Sequence, residues 1–589
     1  MFLKKILVHI CLCFLTVSVN AQYYLRGEVR DENNQPLQNV RIISLTDHIL
    51  YFTGLSGGFG IVTIHLNDSL SFSLEGFETK VVAVKSDTWQ DIKLKILISN
   101  SNHNRPKLIS ITQDAKRTFK YKWFIKDETY FQLIENDFVE ASRFPNTGFS
   151  LNVNKASYSN IRRFLNTNSP VPPDAVRTEE LLNYFNLHYR EPDNNSVFRI
   201  ESKLSSCPWN RERQLLFLNI NAKKLDLNNV PASNFVFLID NSGSMDMPNR
   251  LPLLKAAFQM LIKNLRAKDT VSIVTYGGGV SIWMQPTSGN QKEKILQAIE
   301  ELEAEGDTPG ESAILTAYQL AERTFIKGGN NRIILATDGD FNVGQTSEKA
   351  LEELIIKEKK GGVYLTCLGV GMGNYKDSKL QILANRGNGN FAYLDDINEA
   401  EKVLVKELTQ TFYAVANDVT MNISFNPDVV NQYRLIGFDN KKDAMNDSSA
   451  NLEGGEIGSG NSINAIFEIV PVAKTITPNN LKEKIATVSL LYTKNNDTIK
   501  QKLTYQCLNN FEDFNNIDRE LRFGAALTMF ALKLKQSKFI KNIDWEYIQG
   551  IASNSADSNN YLQNEFLRLI AKAKKVYGKK SRKGDKSLN

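Results

Sequence analysis

Cysteine and histidine are scarce in this chain of 589 residues, which has five of each. Cys11 and Cys13 stand inside the apolar N-terminal stretch, so only Cys207, Cys367 and Cys507 remain for the folded body. So odd and sparse a set excludes a disulfide framework and allows one bridge at most. The spacing also excludes a zinc site built from local cysteine motifs, and no HxxxH pair occurs. His48, His65, His103 and His188 are therefore read singly, as surface or packing residues. Excess charge is missing as well. The formal net charge is +6, but Lys4, Lys5 and the basic tail from Lys579 to Asn589 account for it, and the remainder is balanced. No folded segment carries a basic stripe with interleaved aromatics, which excludes nucleic acid as the expected partner.

Long apolar runs are confined to the N-terminus. Lys4 and Lys5, the run Ile6 to Val19 and the small-residue end Val19-Asn20-Ala21 before Gln22 read as a secretory signal peptide over residues 1–21. The run falls short of the roughly 20 residues that a membrane-spanning helix needs, and no later segment reaches that length. The expectation is an exported protein of the periplasm or cell envelope, with the cell surface as an alternative and no transmembrane segment after cleavage.

What the chain does have is a sequence of distinct patterns, and at this length several domains are expected. Residues 22–96 show short alternating strands broken by turns, at Leu25 to Val29, Val40 to Ser44 and Gly57 to Ile61. Gly27, Val29, Asp31, Pro36-Leu37, Val40, Thr53, Gly57, Phe59 and Leu70 to Phe77 resemble the carboxypeptidase-regulatory-like β domains, although Gly54 stands where an Asp is usual. That resemblance implies a small β domain and no peptidase activity. Residues 97–135 hold the polar stretch Ser99 to Pro106 and are read as a linker. In 136–230 the run Phe149 to Asn154 alternates like a strand, and Ala156 to Leu165 and Arg177 to Phe185 have helical spacing.

Over 231–412 buried-looking strands alternate with amphipathic helices. The strands are Phe235 to Ile239, Thr270 to Tyr276, Arg332 to Thr337 and Gly362 to Val370. Helical patterns lie at Leu251 to Leu265, Gln291 to Ala304, Glu311 to Thr324, Ser347 to Lys359 and Ile397 to Thr411. Strands apolar on both faces and separated by helices specify a parallel, doubly wound sheet of Rossmann-like type. In 413–578 strand signals return at Val419 to Phe425 and Ala486 to Tyr492, with Asn446 to Asn464 read as a mobile loop. Helical periodicity closes that segment at Arg519 to Gln536 and Tyr561 to Val576, before the basic tail 579–589. The fold class is thus multidomain α/β plus all-β: a doubly wound domain flanked by β-sandwich-like units, with a helical piece at the C-terminal end.

The chemistry gathers after the first buried strand. Asp240-Asn241-Ser242-Gly243-Ser244 sets a carboxylate and two hydroxyls at two-residue spacing on one loop, where all can face a single hard cation. Thr308, just before a helix, and Asp338, at the end of a strand, fall at the same edge of such a sheet, where doubly wound folds hold their ligands. Oxygen donors in this number suit Mg²⁺, with Mn²⁺ or Ca²⁺ as alternatives. Asp246, Asp307 and Asp340 are outer-shell candidates, against the simpler reading of solvated loop acids.

Taken together, Asp240-x-Ser242-x-Ser244, Thr308 and Thr337-Asp338-Gly339 resemble a von Willebrand factor type A domain with a metal-ion-dependent adhesion site. The run Asn331 to Gly344, Gly369 to Asn374 and Tyr433 to Gly437 resemble one bacterial subfamily, in which that domain follows a von Willebrand-associated N-terminal region and precedes an uncharacterised C-terminal domain. Phe149-Ser150, Ala156-Ser157-Tyr158, Arg162 to Leu165 and Leu182 to Phe185 carry the N-terminal part of the likeness, with Asn152 and Asn154 where the family tends to have Asp. The resemblance implies that the two serines and the threonine bind the ion directly or through water. It also implies that the second Asp acts through water and that one open coordination position takes an Asp or Glu carboxylate from a protein partner. The expected function is metal-dependent protein binding, without catalysis. An envelope assembly scaffold with a structural cation is the alternative. A hydrolase is the least favoured, since no GxSxG elbow occurs and no histidine stands near Ser242 or Ser244.

Overall fold

The computed structural model describes residues 23–578, apart from 33, 48, 75–76, 87, 96–127, 150, 194–195, 227, 229, 307–309, 340–352, 354, 360, 373–374, 440–454, 473–482, 495–496, 498 and 541. The expected signal peptide, most of the linker and the basic tail lie outside the described residues. The chain divides into two units, Met1–Arg105 and Pro106–Asn589.

The first unit is all β, as its alternation predicts. It comprises β1 (Tyr23–Arg30), β2 (Arg41–Ser44), β3 (Leu50–Phe52), β4 (Gly58–Thr63), β5 (Asn67–Ser73), β6 (Lys80–Lys85) and β7 (Trp89–Lys93). These form two sheets, ordered β4-β1-β7 and β3-β2-β5-β6, closed over Leu25, Val29, Ile61, Phe72 and Ile92.

The second unit begins with β8 (Val139–Glu140), β9 (Asn146–Thr147), α1 (Ala156–Asn166), α2 (Thr178–Asn183), β10 (Phe198–Cys207) and β11 (Asn210–Ala222). Next come β12 (Ser233–Asp240), α3 (Leu251–Lys263), β13 (Thr270–Tyr276), β14 (Val280–Ser288), α4 (Lys292–Glu300), α5 (Gly310–Arg323), β15 (Asn330–Thr337), β16 (Val363–Gly369), α6 (Asp377–Arg386), β17 (Asn388–Tyr393), α7 (Ile397–Glu401) and α8 (Leu408–Phe412). The chain then returns to strands, β18 (Ala414–Phe425), β19 (Val430–Ile436), β20 (Gly455–Gly458), β21 (Ser462–Pro471), β22 (Lys484–Lys494), β23 (Lys500–Leu508) and β24 (Phe511–Glu512), and ends in α9 (Arg519–Leu534), α10 (Trp545–Ser555) and α11 (Tyr561–Gly578).

The period-two rule of strands explains how these layers assemble. On β12, Phe235, Phe237 and Ile239 face one core with Leu254 and Phe258 of α3, while Val236 and Leu238 face the other with Ala317 and Tyr318 of α5. The sheet runs β14-β13-β12-β15-β16-β17, parallel except at one edge, where β14 lies antiparallel to β13. Four of its six strands match the expectation. The edge strands β14 and β17 were not expected. β14 contains Pro286 and is largely exposed, so it lacks the apolar run that marks the central strands.

The same rule joins segments far apart in sequence. Leu216, Leu218 and Ile220 of β11 point into a sandwich core with Ile423, Val488 and Leu490, whereas Leu215 and Phe217 point the opposite way, into a helical core with Phe523, Phe530 and Phe566. One sheet of this sandwich is β24-β10-β11-β21-β19-β8 and the other is β20-β18-β22-β23, with β9 added on β18. Strands from before and after the parallel-sheet domain therefore share one sandwich, backed by α1, α2 and the C-terminal helices. The parallel-sheet domain is inserted into this split frame.

Several expectations are corrected here. The described residues of Phe149 to Asn154 form no strand: Phe149 and Leu151 are buried, and the Asn154 side chain accepts the Phe391 N–H at 2.9 Å in place of a ladder. Within the expected mobile loop Asn446 to Asn464, residues 455–458 and 462–464 are buried strand, because β20 pairs with β18 and β21 with β11; 446–454 lie outside the described residues. The expected helix Ile397 to Thr411 is interrupted by a π turn at Lys402–Lys406. Much of the one at Ser347 to Lys359 lies outside the described residues. The helix Trp545–Ser555 was not expected. His188 does not stand alone either, since its Nε2 lies 3.1 Å from Glu201 and its Nδ1 3.8 Å from Asp518 and from Glu520. No described helix is long and apolar enough to cross a membrane.

Buried ion pairs fasten the inserted domain to its frame. Arg162 of α1 reaches Asp395 with Nε at 2.7 Å and Nη2 at 2.5 Å, and Nη2 also reaches Glu399 at 2.7 Å. Arg177 binds Asp377 at 2.6 Å, and Lys155 binds Glu407 at 3.0 Å.

Candidate metal centre

β12 ends on Asp240, and its neighbour β15 ends just before Asp338, so the parallel register brings both carboxylates to one rim of the sheet. Both are fully buried. The chain leaves β12 through Ser242 in an extended conformation and makes one tight turn, Gly243–Asp246, which turns the Ser244 hydroxyl back toward Asp338. A continuous chain of oxygens results. The Ser242 Oγ donates to Asp240 Oδ1 at 2.7 Å, the Ser242 and Ser244 hydroxyls are 3.2 Å apart, and the Ser244 Oγ donates to Asp338 Oδ2 at 2.8 Å.

Supporting bonds hold the carboxylates in place. The Ser242 N–H donates to Asp240 Oδ1 at 3.0 Å and the Thr337 Oγ1 to Asp240 Oδ2 at 2.8 Å, while Thr337 accepts the Gly339 N–H at 3.1 Å. Burial pushes the Asp240 carboxyl up to about 6, against the bonds from Ser242, and the nearby Asp338 adds to the rise. A carboxyl so shifted is one whose ionised form lacks a sufficient counter-charge, and a bound cation would supply it. The donors are all hydroxyl or carboxylate oxygens, the set a hard divalent ion such as Mg²⁺ prefers, and no nitrogen or sulfur ligand is present among them.

Of the eight residues singled out from sequence, the structure brings together Asp240, Ser242, Ser244 and Asp338. Thr308, Asp307 and Asp340 lie outside the described residues. Asp246 is exposed at the end of the turn and makes no bond to the cluster among the described contacts. The segment leading toward Thr308 is nonetheless tied to the same loop: the Gly243 N–H donates to Gly306 O at 3.0 Å and the Glu305 N–H to Asn241 O at 2.6 Å. Glycine is required at that crossing. Gly306 has φ +66°, and a Cβ there would lie 2.2 Å from Gly278 Cα.

Two further residues take part: Thr337, already within the motif read from sequence, and Arg250, which was not among the candidate site residues. Thr337 is an orienting partner of Asp240. Arg250, at the start of α3, sends Nη1 2.6 Å to Asp338 Oδ2. The signal for Arg250 was its position: a cation at a helix N-terminus opposes the dipole and needs another reason to be there.

Comparison with known proteins follows these divisions. The family described as von Willebrand factor matches residues 125–217, that of the von Willebrand factor type A domain residues 234–408, and that described as uncharacterized protein YfbK, C-terminal, residues 410–576. The chain is 38% identical over 465 residues to the uncharacterized protein YfbK of Escherichia coli (strain K12), covering 75% of this chain and 80% of that protein. It is 26% identical over 203 residues to inter alpha-trypsin inhibitor, heavy chain 4, of Mus musculus, covering 33% of this chain and 21% of that protein. Among solved structures, the von Willebrand factor type A protein from Catenulispora acidiphila is similar at 16% identity and a TM-score of 0.38, covering 65% of this chain and 91% of that one. The two flanking matches are the two halves of the split frame and the central match is the domain inserted into it, so the chain belongs to the family of YfbK, built around a von Willebrand factor type A domain.

Proposed function

We propose that this is an exported, non-enzymatic binding protein that holds Mg²⁺ at Asp240, Ser242, Ser244, Thr308 and Asp338 and captures an Asp or Glu carboxylate of a protein partner on that ion. The observation that carries the reading is the unbroken chain of hydroxyl and carboxylate oxygens from Asp240 through Ser242 and Ser244 to Asp338, spanning the ends of two parallel strands. Domains of this type generally mediate protein–protein interactions, which supports the choice of a protein partner. Binding without turnover is supported by the partners of the two serines: both hydroxyls engage carboxylates and each other, and among the described contacts no histidine touches them. Export rests on the charged, apolar and small-residue pattern of residues 1–21. The small N-terminal β unit, with its likeness to carboxypeptidase-regulatory-like domains, suits an accessory module of such a protein.

Isothermal titration of the whole protein with Mg²⁺ and Mn²⁺ tests the reading. One site is expected, lost in Asp240→Ala, and capture of a partner from envelope extract should be reversed by chelator. Absence of metal binding, or full affinity in Asp240→Ala, would refute it.

A further inference from the structure

Arg250 precedes α3, where its charge faces the positive end of the helix dipole. The guanidinium is buried and turned instead into the candidate metal centre: Nη1 donates to both Asp338 Oδ2 and Ser244 O at 2.6 Å, and Nη2 donates to Met372 O at 3.0 Å. Its side chain is 6% exposed and that of Asp338 is 0% exposed, so water screens the pair little. The loop after β16 lies flat against it. Gly371 has φ +79°, a Cβ there would meet Arg250 Nε at 2.6 Å, and the Tyr393 hydroxyl holds the Gly371 carbonyl at 2.5 Å. The planar fork of one arginine thus binds the loops that follow β12, β15 and β16, a role a lysine's point charge would not reproduce in full.

Among the described residues, the charges bonded into the cluster include Asp240 and Asp338, both acidic, and Arg250. We propose that Arg250 is a resident counter-cation that cancels one of the two carboxylates, so that a divalent ion bound there keeps a net positive charge for an incoming acid to neutralise. The inference rests on the reading of the site as a metal centre. Without Arg250, the two carboxylates would neutralise the ion by themselves. The metal would bind more tightly and the acid more weakly. Arg250 is in this sense a positioning and specificity residue: it sets the balance between holding the ion and offering it.

The test is Mn²⁺ binding to the whole protein, followed by titration calorimetry and Mn²⁺ electron paramagnetic resonance, in acetate against chloride at equal ionic strength. Wild type is expected to bind Mn²⁺ more tightly in acetate. Arg250→Gln is expected to bind Mn²⁺ about tenfold more tightly in chloride, as removal of a nearby positive charge requires, and to lose the acetate effect. Arg250→Lys, which keeps the charge, is expected to retain the acetate effect, and this variant decides the matter if Arg250→Gln does not fold. Weaker Mn²⁺ binding in Arg250→Gln, or loss of the acetate effect in Arg250→Lys, would overturn the inference and identify a purely structural arginine. Failure of wild type to bind Mn²⁺ at all would instead refute the metal-centre reading.

Discussion

Arg332 on β15 reaches out of the parallel sheet to Glu456 on β20, its Nη2 lying 2.8 and 3.0 Å from the two carboxylate oxygens. The arginine is fully buried, and its Nη1 donates to Thr366 at 3.0 Å. This contact locks the inserted domain to the sandwich through a strand whose sequence, Gly-Glu-Ile-Gly, carries little strand signal of its own. A guanidinium left without its carboxylate in that setting costs about 3–5 kcal/mol. Glu456→Gln is therefore expected to lower the denaturant midpoint markedly. A double replacement of both partners by apolar residues should recover much of the loss, and chemical denaturation of the three proteins measures the difference.

Mg²⁺ should stabilise the wild type. An ion that binds only the folded state at a hundred times its dissociation constant adds about 2.7 kcal/mol. Thermal unfolding with and without Mg²⁺ should show a shift that is absent in Asp240→Ala. Chelation should return the wild type to its metal-free melting point.

Gly306→Ala should damage the metal centre without altering any ligand. The added methyl would meet Gly278 at 2.2 Å, and the φ of +66° disfavours any side chain. The segment from Glu303 to Gly306 would shift away from the Asn241 loop. Weaker Mg²⁺ binding in titration, with the far-ultraviolet circular dichroism spectrum retained, is the expected result.

Glu407 gives a pH test. Burial raises its carboxyl pKa, but Lys155 and Lys402 outweigh burial and hold it below the usual glutamate range. A carboxyl whose folded pKa is depressed contributes stability that is complete above its unfolded value, near 4.5, and is lost as pH falls through the folded value. Denaturation midpoints measured from pH 7 downward should fall in the acid range more steeply for wild type than for Glu407→Gln. The variant should be the less stable of the two at pH 7, since two buried ammonium groups lose their common partner.

The doubly wound domain was legible because its central strands are apolar on both faces and its helices are long enough to show their period. Phe235 to Ile239 could be nothing but a buried strand, and Asp240, Ser242 and Ser244 follow it at the spacing a cation needs. Edges were not legible. β14 and β20 are specified by the partner strand they meet and scarcely by their own residues. Phe149 and Leu151 alternate like a strand, yet the same alternation serves a non-ladder segment pressed into a core. Arg250 could not be assigned to the metal centre from its neighbours in sequence, because Asp338 lies far along the chain.

The sequence by itself determined the local facts: the central strands and long helices of the doubly wound domain, which loop carries oxygens at cation spacing, and where acids and hydroxyls follow a buried strand. Periodicity and side-chain chemistry are local properties, and a linear chain records them directly. Only the tertiary structure decided that the β segments before and after the parallel-sheet domain close into one sandwich, and that Arg250 turns from its helix toward Asp338. Both depend on which surfaces and charges meet in space, where burial strengthens a pairing that no spacing along the chain encodes.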